Sequence, residues 1–199
     1  LETTNGPLEV AKFQNIDLDN DGIIDVGGDG QFSSDVNLLA VVCFARGTLI
    51  ETPAGPRPVE SLKEGTIVNT LDNGPQPLRW IGSRRIDASG EHAPICFQRG
   101  AMDNVRDLLV SPNHRMLVRG AQAELLFGLD EVLVAAKHLV NDTTIRPVPM
   151  REIEYFHFMT DQHDIVFAEA CPSEPLYPGK QSLAIVTDEE REEITALFP

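Results

Sequence analysis

The sequence predicts an all-β domain preceded by a short acidic segment. Three observations carry that prediction. From Val41 onward the chain is a succession of short β-type runs, Pro or Gly interrupts it every few residues, and helical periodicity is absent until the C-terminal end. In order, Gly47 to Thr52 reads as a strand and Pro53-Ala54-Gly55-Pro56 as a turn. Arg57 to Leu62 leads into a Lys63-Glu64-Gly65 bend, and Thr66 to Thr70 alternates apolar and polar like a half-buried strand. Asp72-Asn73-Gly74-Pro75 turns the chain into a strand from Pro77 to Gly82. Further strands are expected at His92 to Phe97, Asp107 to Val110, Arg115 to Val118, Val132 to Ala135, Ile145 to Val148, Glu154 to Thr160 and Asp164 to Ala168. The tail differs. Thr187-Asp188-Glu189-Glu190 has the form of a capping box, and Ile194, Leu197 and Phe198 form one apolar stripe, so a short helix is expected over 188–197.

The composition limits the functions on offer. With 199 residues, 42% of them hydrophobic, the chain suits one ordinary domain plus an appendage. A net charge of -15 repels phosphate backbones and anionic headgroups, which argues against nucleic acid and membrane surfaces as partners. No apolar run approaches the ~20 residues that span a bilayer. A monomer is expected. Acidity together with the Asp-rich segment suggests a secreted, extracellular setting, and a chain opening on Leu1 reads as a piece of something longer. The three cysteines, Cys43, Cys96 and Cys171, are too scattered for a dense disulfide framework.

Residues 1–42 stand apart. They contain no Arg and take their basic charge from Lys12 alone. Asp17, Asp19 and Asp21 place carboxylates at alternate positions, Gly22 follows for a tight turn, Ile23 offers a carbonyl and Asp25 a further carboxylate. That is how hard-cation ligands wrap around Ca²⁺, although Gly28 stands where a full calcium loop closes with a bidentate Glu. Two readings stay open: a calcium-binding loop, or a solvated acidic linker.

The reactive chemistry concentrates in two places. Cys43 stands where the acidic, loop-like sequence gives way to β sequence, which puts its thiol and the Val42–Cys43 peptide bond together. In Ser111-Pro112-Asn113-His114 a hydroxyl and an imidazole lie three residues apart on a Pro-containing turn between two apolar strands. Such a turn aims both groups at one backbone amide.

Cys43 to Gly55, followed by Val59-Glu60-Ser61-Leu62-Lys63-Glu64-Gly65-Thr66-Ile67-Val68, resembles the opening motif of Hint (Hedgehog/intein) domains. Ser111-Pro112-Asn113-His114 is similar to the Hint motif with Thr or Ser three residues before a His. Tyr155-Phe156-His157 through His163 to Ala170 looks like the C-terminal paired-strand motif. The resemblance runs from Cys43 to about Gly179 and is closest to the bacterial intein-like branch. It implies a compact two-lobed β fold over 43–199, with residues 1–42 as the flanking polypeptide on which the domain acts.

It also implies a reaction. Cys43 sulfur attacks the Val42 carbonyl to form a thioester, His114 protonates the departing amide nitrogen, and Ser111 positions the scissile peptide. Cleavage needs no cofactor. His157 and His163 fall on the C-terminal motif and are candidates for the same cleft. The family's acidic partner falls at Asp87, Asp103 or Asp107, and all three stay open. Two departures stand out: Thr66 replaces the Asp after the Leu-x-x-Gly turn, and no terminal His-Asn pair with a following nucleophile is found. The expected outcome is N-terminal cleavage rather than complete splicing. Three rivals are weighed against it: a silent calcium-binding structural module, a trans-acting Cys-His protease, and a metallohydrolase built on His92, His114, His138, His157 and His163. No HExxH-type spacing supports the last.

Overall fold

The computed structural model describes residues 42–176, all within one compact unit. The Asp17 to Asp25 segment and the expected C-terminal helix lie outside the described residues. Among the described residues, fourteen strands and one short α-helix follow in chain order. They are β1 (Phe44–Ala45), β2 (Leu49–Ile50), β3 (Arg57–Pro58), β4 (Ile67–Thr70), β5 (Gly74–Pro77), β6 (Trp80–Ala88), β7 (Ile95–Phe97) and β8 (Leu108–Val110). Then come β9 (Arg115–Arg119), α1 (Ala121–Phe127), β10 (Glu131–Ala135), β11 (Ile145–Pro147), β12 (Met150–Met159), β13 (Val166–Ala168) and β14 (Cys171–Ser173).

The all-β expectation holds, and the strands form two antiparallel sheets. One sheet of six strands runs β11-β7-β8-β1-β12-β6. The other, of eight, runs β10-β9-β14-β13-β2-β3, with β4 joined to β13 and β5 to β4. One apolar core draws on both sheets. Phe44, Phe97, Leu108, Val110, Phe156 and Phe158 come from the first, and Ile50, Val68, Met116, Val166 and Ala168 from the second. Phe44 stacks on Phe158 with ring centroids 5.4 Å apart, so the residue after Cys43 is an anchor of that core.

Most strands fall where the sequence places them, and the differences have local causes. Only two residues of the stretch read as the first strand keep ladder bonds in β2, because Thr52 turns away and its hydroxyl donates to the Gly55 carbonyl at 2.6 Å. Arg57–Pro58 pairs with β2 instead of being a simple lead-in. Helical periodicity is hard to find before the tail, and α1, a helix of seven residues, is too short to show it. Gly128 ends it in the left-handed conformation, φ 67°, with its N–H on the Glu124 carbonyl, a position that only a residue without Cβ takes freely. The three cysteines are all buried and free.

Candidate active site

The site is built by β8, β1, β12 and the edge strand β6 of the six-stranded sheet. Phe44 pairs with Phe156 on β12 and with Val110 on β8, while His157 pairs with Gly82 on β6. Paired residues of an antiparallel sheet share a face, and side chains alternate along each strand. One step beyond Phe44, the same register sets Ser111, Cys43, His157 and Gly82 in one row across four chain segments. Ala45, Tyr155 and Arg84 form the adjacent row on the same face.

Contacts along that row hold the reacting atoms. The Cys43 N–H donates to Ser111 Oγ at 3.1 Å, and the Ser111 N–H donates to the Cys43 carbonyl at 3.1 Å. Both main-chain polar groups of Cys43 are therefore fixed by one residue. Cys43 Sγ lies 3.7 Å from His157 Nδ1, within reach of a sulfur hydrogen bond. The Trp80 indole stacks on the imidazole, with centroids 5.2 Å apart and planes at 29°.

Gly82 makes that stacking possible. A Cβ there would stand 2.5 Å from Trp80 Cη2, 2.8 Å from Cζ2 and 3.1 Å from His157 Nε2. The sheet has room for the indole only because position 82 carries no side chain.

His114 approaches Cys43 from the core. Its ring meets Phe44 edge-on, centroids 4.5 Å apart at 65°, and it is wholly buried. The turn carrying it is tied down by its own N–H to the Ser111 carbonyl at 3.0 Å and by Ala136 N–H to the His114 carbonyl at 2.8 Å. Burial lowers its pKa from 6.5 to about 3, with the Cys43 main chain acting weakly the other way. Neither ring nitrogen has a well-formed hydrogen bond among the described residues, so the imidazole is neutral at rest.

Cys43 is 4% exposed. Burial pushes its ionisation far above the ordinary thiol range, and the Arg84 guanidinium and the Ser111 hydroxyl pull it back. A protonated, desolvated thiol is a poor nucleophile, so the resting site holds the group in an unreactive form until a base takes its proton.

The remaining expected residues are placed as follows. Val42 lies half-buried at the start of the described chain. His163 does not join the row: its Nε2 pairs with Glu174 Oε1, which Arg115 also meets at 3.3 Å. That contact turns the imidazole to Glu174, whereas the sequence made it a candidate for the cleft of the nucleophile. All three Asp candidates are exposed. Asp87 is exposed and accepts from Ser89, Asp103 is exposed in a left-handed turn at φ 60°, and Asp107 accepts from the Arg99 N–H at 2.8 Å. Nor do the histidines assemble a metal centre, since among the described residues no group of three His, Cys, Asp or Glu is arranged to hold an ion.

Two residues of the site escaped the sequence reading, Arg84 and Tyr155. The alternation of exposure along β6 marks it as an amphipathic strand, but its partner strand is not visible without the register.

The model of the Hint domain family matches residues 42–180. The chain belongs to the Hint domain family. Solved structures to which the chain is similar include a bacterial intein-like domain from Clostridium thermocellum, 13% identical, which covers 68% of this chain and 99% of its own with a TM-score of 0.49. A DnaB intein from Synechocystis sp. PCC 6803 is 9% identical over 68% of this chain and 99% of its own, with a TM-score of 0.46. No curated protein matches the chain. Within this Hint domain no helix among the described residues is long and apolar enough to cross a membrane.

Proposed function

We propose that this Hint domain cleaves its own backbone at the Val42–Cys43 bond through an N–S acyl shift. The observation that carries the reading is the double anchoring of Cys43. Ser111 holds its N–H and its carbonyl while Sγ rests against an imidazole nitrogen at 3.7 Å. Such immobilisation converts attack on the adjacent carbonyl into a preorganised step.

The steps follow from the groups present. The Cys43 thiol proton passes to His157 Nδ1, and sulfur attacks the Val42 carbonyl carbon, breaking the amide resonance and placing charge on its oxygen. The tetrahedral adduct collapses by expelling the Cys43 nitrogen, which takes a proton from His114. That ring is neutral at rest; the negative charge building on the adduct raises its proton affinity, so it first takes up, through solvent, the proton that His157 received from the thiol and then gives it to the nitrogen, which restores both rings. Overall one proton moves from sulfur to nitrogen. The product is a thioester on Cys43, and water or a thiol then releases the upstream segment.

The test compares the full chain with a Cys43→Ala variant, each held with and without dithiothreitol or hydroxylamine. The expected result is a nucleophile-promoted break between Val42 and Cys43, read by mass, that the variant lacks. Intact mass in both chains under all conditions defeats the proposal. Calcium binding at Asp17, Asp19, Asp21 and Asp25 rests on the sequence pattern and is tested separately. EGTA should lower the melting temperature if the ion binds only the folded chain.

A further inference from the structure

The face that carries Cys43 and His157 also carries two groups to which the acyl shift assigns no role. Tyr155 pairs with Ala45 across β1 and β12, and with Arg84 across β12 and β6. All three stand in the row next to that of the thiol. Cys43, Ala45, Ala88, Ile153 and Tyr155 form one packed cluster, with Leu109 and Met150 at its edge. Within it the Tyr155 hydroxyl is buried and has no hydrogen-bond partner among the described residues. A buried phenol left unpaired is costly, and such a group in a site signals a partner that forms only during turnover.

We propose that Tyr155 and Arg84 form an anion-stabilising wall, the phenol donating to the Cys43 sulfur and the guanidinium adding positive charge as the thiol proton leaves for His157 Nδ1. The inference rests on the acyl-shift reading of the site. The step balances simply: the S–H bond breaks, its electron pair stays on sulfur, and the proton bonds to the imidazole nitrogen. The other groups around the sulfur are Ser111 from the turn after β8, His157 from β12 and His114 from the core side, none of which carries a permanent positive charge. Arg84, on the same face, is a cation whose charge favours the thiolate. Burial, and secondarily the neighbouring thiol, hold the Tyr155 phenol in its protonated form, so it remains a donor.

The test uses the full chain and two readouts on Arg84→Gln, Arg84→Lys and Tyr155→Phe. One is the rate of nucleophile-promoted cleavage. The other is the rate of Cys43 alkylation by iodoacetamide at fixed pH, located by mass spectrometry, with Cys96 and Cys171 as internal controls. A thiol far below its pKa reacts in proportion to its thiolate fraction, so one unit of pKa reads as tenfold in rate. Arg84→Gln and Tyr155→Phe should each slow Cys43 alkylation about tenfold, with Cys96 and Cys171 unchanged and cleavage falling in parallel. Arg84→Lys, which keeps the charge, should restore most of the rate. Tyr155→Phe removes a single oxygen and decides the question by itself if Arg84→Gln does not fold. Unchanged Cys43 alkylation in Tyr155→Phe overturns the proposal whatever the cleavage assay reads. A wild-type chain that never cleaves, yet shows the alkylation effect, overturns the acyl-shift reading alone.

Discussion

Cys43 and His157 face each other across β1 and β12, with sulfur 3.7 Å from Nδ1, because Phe44 and Phe156 beside them are register partners in the core. The contact is thus set by the same pairing that buries Phe44. It follows that the imidazole can be altered with little effect on the fold. His157→Gln should retain the β-rich circular dichroism spectrum and slow cleavage by at least about a hundredfold, the usual worth of a positioned base. Measurement of released fragment by mass against time checks this. Wild-type rates in the variant would remove His157 from the reaction.

Ser111 is the hinge of the opposite flank. Ser111→Ala leaves the Cys43 N–H without its acceptor in a buried strand, at a cost of about 1–3 kcal/mol of stability. Cleavage should fall about tenfold or more, because the scissile nitrogen is no longer held. Ser111→Thr keeps the hydroxyl and should recover most of both losses. Urea unfolding and cleavage rates on the two variants distinguish a positional role from simple loss of stability.

Cys43, Ser111 and His114 were singled out in the sequence because they fall, in order, on motifs that resemble those of Hint domains; a cysteine at a change of composition, or a hydroxyl and an imidazole on one turn, is a weak signal alone. His157 and His163 were not separable. They lie on the same motif, and which one meets the thiol depends on register, where a slip of one residue reverses the face of every side chain. Arg84 and Tyr155 were not singled out as site residues for the same reason, since their place on the face that carries Cys43 comes from β6–β12 and β12–β1 pairing. The β class was readable from its punctuation by Pro and Gly. The two-residue strands β1, β2 and β3 were not resolvable as such, being shorter than any alternation can mark.

His114 makes the domain sensitive to acid. In the unfolded chain the ring takes its proton near 6.5, whereas in the fold burial delays this to about 3. Between those values the unfolded chain binds more protons than the folded one, so stability falls as pH drops through that window. The slope contributed by this one group is up to about 1.4 kcal/mol per pH unit. His114→Leu, which keeps an apolar group of similar bulk against Phe44, should lose that part of the slope. Urea titrations in steps from pH 7 to pH 4 measure it. Parallel stability curves for the two chains would show that the ring is not buried in its neutral form.

Gly82 links packing to reactivity most directly. It is paired with His157, and the space its missing side chain leaves is filled by the Trp80 ring, which in turn lies over the imidazole. Gly82→Ala introduces a methyl 2.5 Å from Trp80 Cη2, closer than carbon atoms tolerate, so the indole must swing or the strands must part. Overpacking of this kind costs about 1–3 kcal/mol. The same methyl lies 3.1 Å from His157 Nε2 and pushes the ring against its contact with sulfur. Cleavage should therefore slow by more than the loss of stability explains, under conditions where the variant is still fully folded. Trp80→Phe in the Gly82→Ala background shrinks the obstructing ring and should recover part of the melting temperature. If cleavage recovers in step, the indole, and not the backbone at position 82, is what sets the imidazole against Cys43. Loss of stability with cleavage untouched would mean that His157 holds its place without the indole.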